Sequence, residues 1–458
     1  QPRERHYVFG GMYLSFALWM GLGWTGLVEW ARGRLRLAGG MLAGVGLLGL
    51  VLPAGIFGRL YEVEDRTGDY VAYDYAYNLL QSCDPGSILY TNGDNDTFPL
   101  WYLQEVEGAR KDVRVVNLSL LNTNWYIKQL RDREPRLPIR LDDVQIDSVL
   151  TDTELVDLKR RLWLEPKVPQ ELKKAGIDVV VKAPPGHDLL RVQDVMVIGL
   201  VYWNEWRLPT HFAITIPASN RVNLDPYLRM EGMTMQLVRE RDVGPDPEKL
   251  AHNLYNVYQL RGITDPTVYK DENTVRLLGN YRACVLTLAE EYGKRHQGEE
   301  MVRLMRWAET RIPMGWEGFY SAANFLESVG QLPLAGEYVE RATQLLIDIY
   351  GEEPVASYDN IINLAGVLVN PPYAQHERAE GLYRQVIALE PKRWQAYYEL
   401  AASLQARDQV PAALALLQDY RQRHGEIPEL ARAEEVLDNA QRRAAQQQDT
   451  SVPPPEQP

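Results

Sequence analysis

The pattern of apolar and polar positions changes character twice along the chain. Residues 7–28 and 37–58 contain no Asp, Glu, Lys or Arg, and each run has the roughly 20 residues that a helix needs to cross a hydrocarbon layer. Two transmembrane helices are predicted. Trp24 and Trp30 stand near one end, and the joining residues Ala31-Arg32-Gly33-Arg34-Leu35-Arg36 are basic. The positive-inside rule then assigns the joint to the cytoplasm and everything after Arg59 to the periplasm or its equivalent. Neither run has the short apolar core and small-residue cleavage site of a signal peptide. Gly40 and Gly44 form a GxxxG face, which suggests packing against the other span or against further transmembrane helices.

Beyond residue 59 the period alternates between strand and helix. A helix over 70–81 leads to an apolar strand at 87–91, a turn cluster Asn92-Gly93-Asp94-Asn95-Asp96, and a helix over 97–106 with Leu100, Leu103 and Val106 at helical spacing. A strand at 113–118 and a helix at 124–132 follow. Residues 133–167, rich in Arg, Asp and Pro, read as irregular with a short helix near 153–162. The β-branched run 177–181 reads as a strand, 189–203 as a long apolar helix, and 210–216, between Pro209 and Pro217, as another strand. This alternation over 60–241 predicts a mainly parallel, Rossmann-like α/β domain with a right-handed βαβ crossover. In such a sheet the loops 92–96 and 119–124 share the rim beyond the carboxyl ends of the strands, where ligands bind. Residues 242–272, opening Asp242-Val243-Gly244-Pro245-Asp246-Pro247, read as a linker.

From residue 273 to 446 the pattern is one of helical pairs with an internal spacing of 34: Ala379, Tyr383 and Val386 recur as Ala413, Leu417 and Tyr420. In the partner helices Leu364, Ala365 and Leu368 recur as Leu400, Ala401 and Leu404, the longer shift being absorbed by the Asn370-Pro371-Pro372-Tyr373 loop. Ala323, Ala335, Val339 and Ala342 mark an earlier unit. Small residues at such positions let paired helices approach, as in tetratricopeptide-like α-solenoids. A helix at 427–446 would cap the array, with a disordered tail at 447–458. Trp394, Tyr397 and Tyr398 read as repeat core. The fold class is therefore α/β plus all-α, behind two membrane spans at 1–59.

Charge narrows the partners. A net charge of −13 and a pI near 5.2 argue against a nucleic-acid surface, which needs clustered Lys and Arg. The two cysteines, Cys83 and Cys284, make no disulfide framework, and the seven histidines show no HExxH, so no metal site is predicted from them. No GxGxxG, GxxxxGK[ST] or GxSxG motif occurs in a fitting context.

The chemically loaded stretch is Asp94-Asn95-Asp96. Its carboxylates could hold Mg²⁺ or Mn²⁺ against a diphosphate. The simpler reading, and the one the residues favour, is that Asp94 and Asn95 form an Asx turn while Asp96 or Thr97 caps the following helix and Pro99 occupies its first turn. A third reading is sugar or peptide recognition, for which Asn92, Asp94, Asn95, Asp96, Asn122 and Asn124 supply hydrogen bonds and Trp101 and Trp125 stacking surfaces. His211, near Glu205, Trp206 and Arg207 in sequence, is a candidate base only if a partner positions it.

The block TNGDNDTFPLWYLQEVEG, followed by DVRVVNLSLLNTNWYIKQL, resembles the DUF2723 family, bacterial membrane proteins classed as family-117 glycosyltransferases and likened to protein O-mannosyltransferases. The likeness extends upstream to QPRERHYVFGGMYLSFALWMGLG and downstream to RLPTHFAITI and NLDPYLRMEGM. This chain carries Thr210-His211 where relatives are expected to carry a tyrosine. The resemblance implies a longer protein with a multi-helix membrane domain of the GT-C type, in which the catalytic carboxylate lies outside this segment. It further implies an inner-membrane location and a lipid-linked sugar donor. The segment would contribute acceptor or partner binding, with a peptide or protein partner in the solenoid groove. The alternative is a membrane-anchored scaffold or small-ligand sensor without transferase activity.

Overall fold

The computed structural model describes residues 10–35, 39–148, 172–173, 176–178, 191–349, 354–369 and 374–449. The expected helix at 153–162, the end of the expected strand at 177–181, the 370–373 loop and the tail beyond 449 lie outside these residues. Two compact units are present, one comprising residues 1–69 with 265–271, the other residues 70–264 with 272–458.

In the first unit, α1 (Gly10–Leu35) is a single 26-residue helix. The second apolar run is helical on both sides of a turn at Gly49-Leu50, as α2 (Gly39–Leu48) and α3 (Val51–Glu64). Two stretches, Gly10–Arg34 and Gly39–Tyr61, are long and apolar enough to cross a bilayer, and neither is buried in the protein. Exposed Leu, Trp, Phe and Met along them would be a heavy liability in water, so the two helices are candidate membrane spans. Gly40 and Gly44 face open space and do not pack on the other span. The close approach is instead at Gly49, whose missing side chain makes room for the Trp24 indole, while Trp24 Nε1 donates to Gly46 O at 3.3 Å.

The second unit begins with α4 (Val71–Gln81), β1 (Ile88–Thr91), α5 (Asp94–Glu105), β2 (Arg114–Asn117), α6 (Asn124–Asp132) and α7 (Asp143–Ser148). Then come α8 (Val192–Asn204), β3 (Thr210–Ala213), β4 (Leu228–Met230), β5 (Thr234–Leu237) and α9 (Pro247–His252). The sheet order is β2-β1-β3-β5-β4. β1 is parallel to β2 and β3, with Leu89 opposite Val115 and His211, whereas β5 runs antiparallel to β3 and β4. The sheet is thus mixed rather than mainly parallel: β4 and β5 form a hairpin around Gly232, too short and too weakly alternating to stand out in the sequence. Ile177 and Asp178 are not in a strand.

β1 is buried along its whole length, as a central strand covered on both faces must be. Tyr126 of α6 occupies the outer edge of β2: the Asn117 backbone N–H donates to Tyr126 Oη at 3.0 Å, and the Tyr126 hydroxyl reaches Val115 O at 3.4 Å. α4 is locked to the chain before the helical array by buried Asp74, which receives the Arg261 amide at 2.7 Å and its guanidinium at 2.5 Å. Arg261 also lies over the Tyr70 ring, 4.1 Å from its centroid. The expected linker is therefore structured: Leu250 and Leu254 are buried, and Asp246 caps α9 by accepting the Lys249 amide at 3.0 Å.

The remainder is a run of antiparallel helices: α10 (Glu272–Lys294), α11 (Gly298–Ala308), α12 (Gly315–Ser328), α13 (Leu332–Ile349), α14 (Pro354–Val369), α15 (His376–Leu389), α16 (Trp394–Ala406), α17 (Val410–His424) and α18 (Pro428–Asp449). Successive helices pack on each other, and α14 on α16 and α16 on α18 as well. Every residue named above for the repeat pattern is buried, so spacing and core coincide in a solenoid-like stack. α18 carries the cap three residues past its expected end.

Candidate functional site

The rim beyond the carboxyl ends of β1, β2 and β3 is built around the Thr97 hydroxyl, which donates to Gly93 O at 2.7 Å and lies 2.8 Å from both Thr91 Oγ1 and Asn117 Nδ2. Asn117 in turn accepts the Leu120 amide at 2.9 Å, and Ser119 Oγ donates to Asn92 O at 3.1 Å. These bonds bring the 92–96 and 119–124 segments side by side, as the crossover geometry predicts.

Helix α5 starts at Asp94, three residues earlier than its apolar spacing implied, with Gly93 as its N-cap. Asp94, Asn95 and Asp96 are thus its first turn rather than a loop, and Pro99 falls in the second turn. Two residues apart on a helix lie about 200° around the axis. Asp94 is exposed accordingly, while Asp96 is buried and accepts Thr215 Oγ1 at 2.5 Å. The two carboxylates diverge and do not form a shared Mg²⁺ or Mn²⁺ site. Burial pushes the Asp96 carboxyl above its ordinary value, and hydrogen bonds from Thr215 and the amides of Asn92 and Gly93 offset this in part. The reach back to Gly93 is half of a capping box.

Around this turn lies a ring of amides. Asn122 and Gln193 are joined by two bonds, Asn122 Nδ2 to Gln193 Oε1 at 2.9 Å and the Gln193 backbone N–H to Asn122 Oδ1 at 3.0 Å. Asn220 Nδ2 donates to Asn92 Oδ1 at 2.6 Å, and Asn220 Oδ1 accepts Arg191 at 2.9 Å. Arg191 is held by buried Asp194 through two bonds of 2.8 and 3.0 Å. Of the residues predicted from sequence, Asn92, Asp96 and Asn122 meet here. Asn124 bonds Asp147 at 3.1 Å beside the exposed Trp125 ring. Trp101 faces elsewhere: it lines a cavity of about 240 Å³ at the start of β2 with Gln104, Arg114, Tyr126 and Gln129. Gln193, Thr215 and Asn220 were missed because only the fold brings them to the rim, although Arg191-x-x-Asp194 is a legible capping spacing.

A second polar group surrounds His211, which is fully buried and contacts neither Glu205 nor Arg207; those residues pair with each other at 2.7 Å. His211 Nε2 lies 3.3 Å from the Asp84 carboxylate and Nδ1 3.3 Å from Thr234 Oγ1. Donor atoms of Asp84, His211 and Glu231 all lie within 4.8 Å of one another, a spacing that could hold a metal ion. The ammonium of Lys249, however, sits between the two carboxylates, 2.8 Å from Asp84 Oδ1 and bonded to Glu231. Arg229 adds a 2.6 Å contact to Glu231. His211, followed by Lys249, holds Asp84 well below the usual carboxylate range against the opposing effect of burial. For Lys249, burial pulls down, but Asp84 and Glu231 outweigh it and hold the ammonium up. Lys249 fills the position of a cation with the chain's own charge, and His211 serves as a packed core partner.

In the helical array, Tyr397 is core, packed edge-on against Tyr420 with ring centroids 4.8 Å apart. Trp394 and Tyr398 instead line a cavity of about 460 Å³ between α16 and α18, with Glu399, Arg432 and Val436.

Residues 72–153 match the family described as TMEM260-associated domain 2. The match spans α4 through α7, including β1, β2 and one side of the amide rim. No curated protein and no solved structure matches the chain.

Proposed function

We propose that this chain is the carboxyl-terminal, periplasm-facing and acceptor-holding region of a membrane glycosyltransferase that uses a lipid-linked sugar. In this reading the amide rim grips a glycan or a peptide on the periplasmic or equivalent side. One observation carries the proposal. Asn92, Asn122, Gln193 and Asn220 converge at the carboxyl ends of parallel strands, in a place where α/β sheets bind ligands, and amides offer both donors and acceptors to hydroxyl-rich partners. The DUF2723 resemblance supplies the transferase part of the reading, and the two candidate spans support attachment to a membrane. Catalysis itself would belong to membrane segments beyond this chain.

The test is saturation-transfer NMR on the detergent-solubilised chain, using manno-oligosaccharides and short Ser/Thr peptides as probes. Wild type should show transfer from the protein, and Asn122→Ala with Asn220→Ala should lose it while keeping the same circular dichroism. Equal transfer in both proteins, or none in either, would refute the assignment of the rim.

A second reading, a membrane-anchored scaffold, is favoured by the cavity of about 460 Å³ between α16 and α18. It predicts that capture of a protein partner depends on Trp394 and Tyr398 and is indifferent to the rim.

A further inference from the structure

A surface helix ordinarily turns polar residues to water, and α5 does not. Its inner face, Thr97, Leu100, Leu103 and Gln104, is buried against the sheet and α4. Its outer line, at intervals of four, is Asp94, Phe98, Tyr102 and Val106, of which Phe98 is 55% exposed, Tyr102 48% and Val106 68%. Trp101 flanks this line, its ring 5.7 Å from that of Phe98. Neighbouring α4 adds Tyr73 and Tyr77, half-buried, and exposed Tyr70 precedes it. The patch is thus almost entirely aromatic. Its margin is charged: Asp94 at one end, Glu105 and Glu107 at the other, and Arg261 over Tyr70 and Tyr73. The Tyr102 hydroxyl donates to Glu107 at 2.8 Å, so its polar end sits at the margin as well.

We propose that the α4–α5 aromatic face seats in the headgroup region of a phospholipid bilayer; this rests on the reading that the apolar amino-terminal helices span a membrane. Two features select lipid as the occupant. Aromatic rings with a polar tip or N–H are the side chains that favour the membrane–water boundary, where one end is apolar and the other wet. Secondly, α4 begins seven residues after α3 ends at Glu64, and a chain of that length spans at most about 25 Å even when fully extended. An aromatic face on an element tethered so closely to a span is within reach of the surface from which the span emerges.

The test uses the full chain in phosphatidylcholine nanodiscs. Native Cys83 and Cys284 are buried, so a spin label can be directed to Phe98→Cys or Tyr102→Cys, with Leu389→Cys as an exposed control in the helical array and Leu18→Cys inside the first span. Power saturation reads accessibility to oxygen, which partitions into lipid, against a water-soluble nickel chelate. The proposal expects labels at 98 and 102 to show an oxygen-to-nickel ratio several-fold above that at 389. Water-like ratios at 98 and 102 with a lipid-like ratio at 18 would overturn the seated face while leaving the spans intact. A water-like ratio at 18 would overturn the membrane reading and the proposal with it. Dipolar broadening between labels at 98 would make the face an interface between copies and overturn it equally.

Discussion

Replacing Lys249 by methionine isolates what the internal cation does for the fold. The ammonium bridges Asp84 and fully buried Glu231, so Lys249→Met leaves two carboxylates facing each other with no charge between them. Removing one partner of a buried ion pair costs about 3–5 kcal/mol. Lys249 is about a third exposed and Arg229 still pairs with Glu231, which sets the expectation near 3 kcal/mol. The pH dependence has a definite sign. Asp84 is depressed in the folded protein, so its contribution is present above its unfolded value, about pH 4, and is lost as pH falls through the folded value. Lys249 is raised, so its contribution is present below about pH 10 and is lost as pH rises through the folded value. Urea unfolding of the detergent-solubilised chain, followed by near-ultraviolet circular dichroism, should therefore show the full deficit from pH 7 down to about pH 4 and a shrinking one below it. Glu231→Gln added to Lys249→Met should recover part of it. A deficit below about 0.5 kcal/mol at pH 7, or one that grows on acidification, would refute the account.

Four further outcomes follow from the geometry. Lys249→Ala vacates the point between Asp84, His211 and Glu231, so micromolar Zn²⁺ should raise its thermal midpoint and leave wild type unmoved, and Co²⁺ should give it a visible absorption band. Asp74→Ala removes the buried acceptor of the half-exposed Arg261 guanidinium and amide and should cost about 1–2 kcal/mol in the same urea assay. Thr215→Val removes the donor that offsets Asp96 burial. Because that carboxyl is raised, its penalty appears as pH rises through the folded value, so a deficit of about 1–2 kcal/mol at pH 7 should narrow at pH 4. Gly232 has φ of 150° and a methyl there would overlap the Tyr258 hydroxyl, which bonds Met233 N at 2.8 Å; Gly232→Ala should lower the thermal midpoint measurably, and a midpoint equal to wild type would contradict the packing.

The elements legible in sequence were those whose own period specifies them. Helix α6 spans 124–132 in both the pattern and the structure, because Tyr126, Ile127 and Leu130 mark one face without ambiguity. That the 92–96 and 119–124 segments share one rim followed from the parallel direction of β1 and β2 alone. What escaped was set by partners distant in the chain. β4 and β5 are strands because β3 offers an open edge, and Lys249 becomes part of a core cluster only when Asp84, 165 positions away, arrives beside it. Reading Asp94 and Asp96 as one loop failed for a local reason: once Gly93 starts the helix, alternate residues point apart.

The outer margin of β2 has one last implication. A bare strand edge invites another chain to add itself by backbone pairing, and proteins confined to a surface meet their own copies often. By placing a phenol where a sixth strand would dock, Tyr126 ends the sheet from within. Tyr126 belongs to α6, and Arg114 of the same strand donates to Gln129 O and Glu134 O close by, so growth on that flank is blocked by the helix that follows the strand, and the molecule can be crowded without zippering to its neighbours.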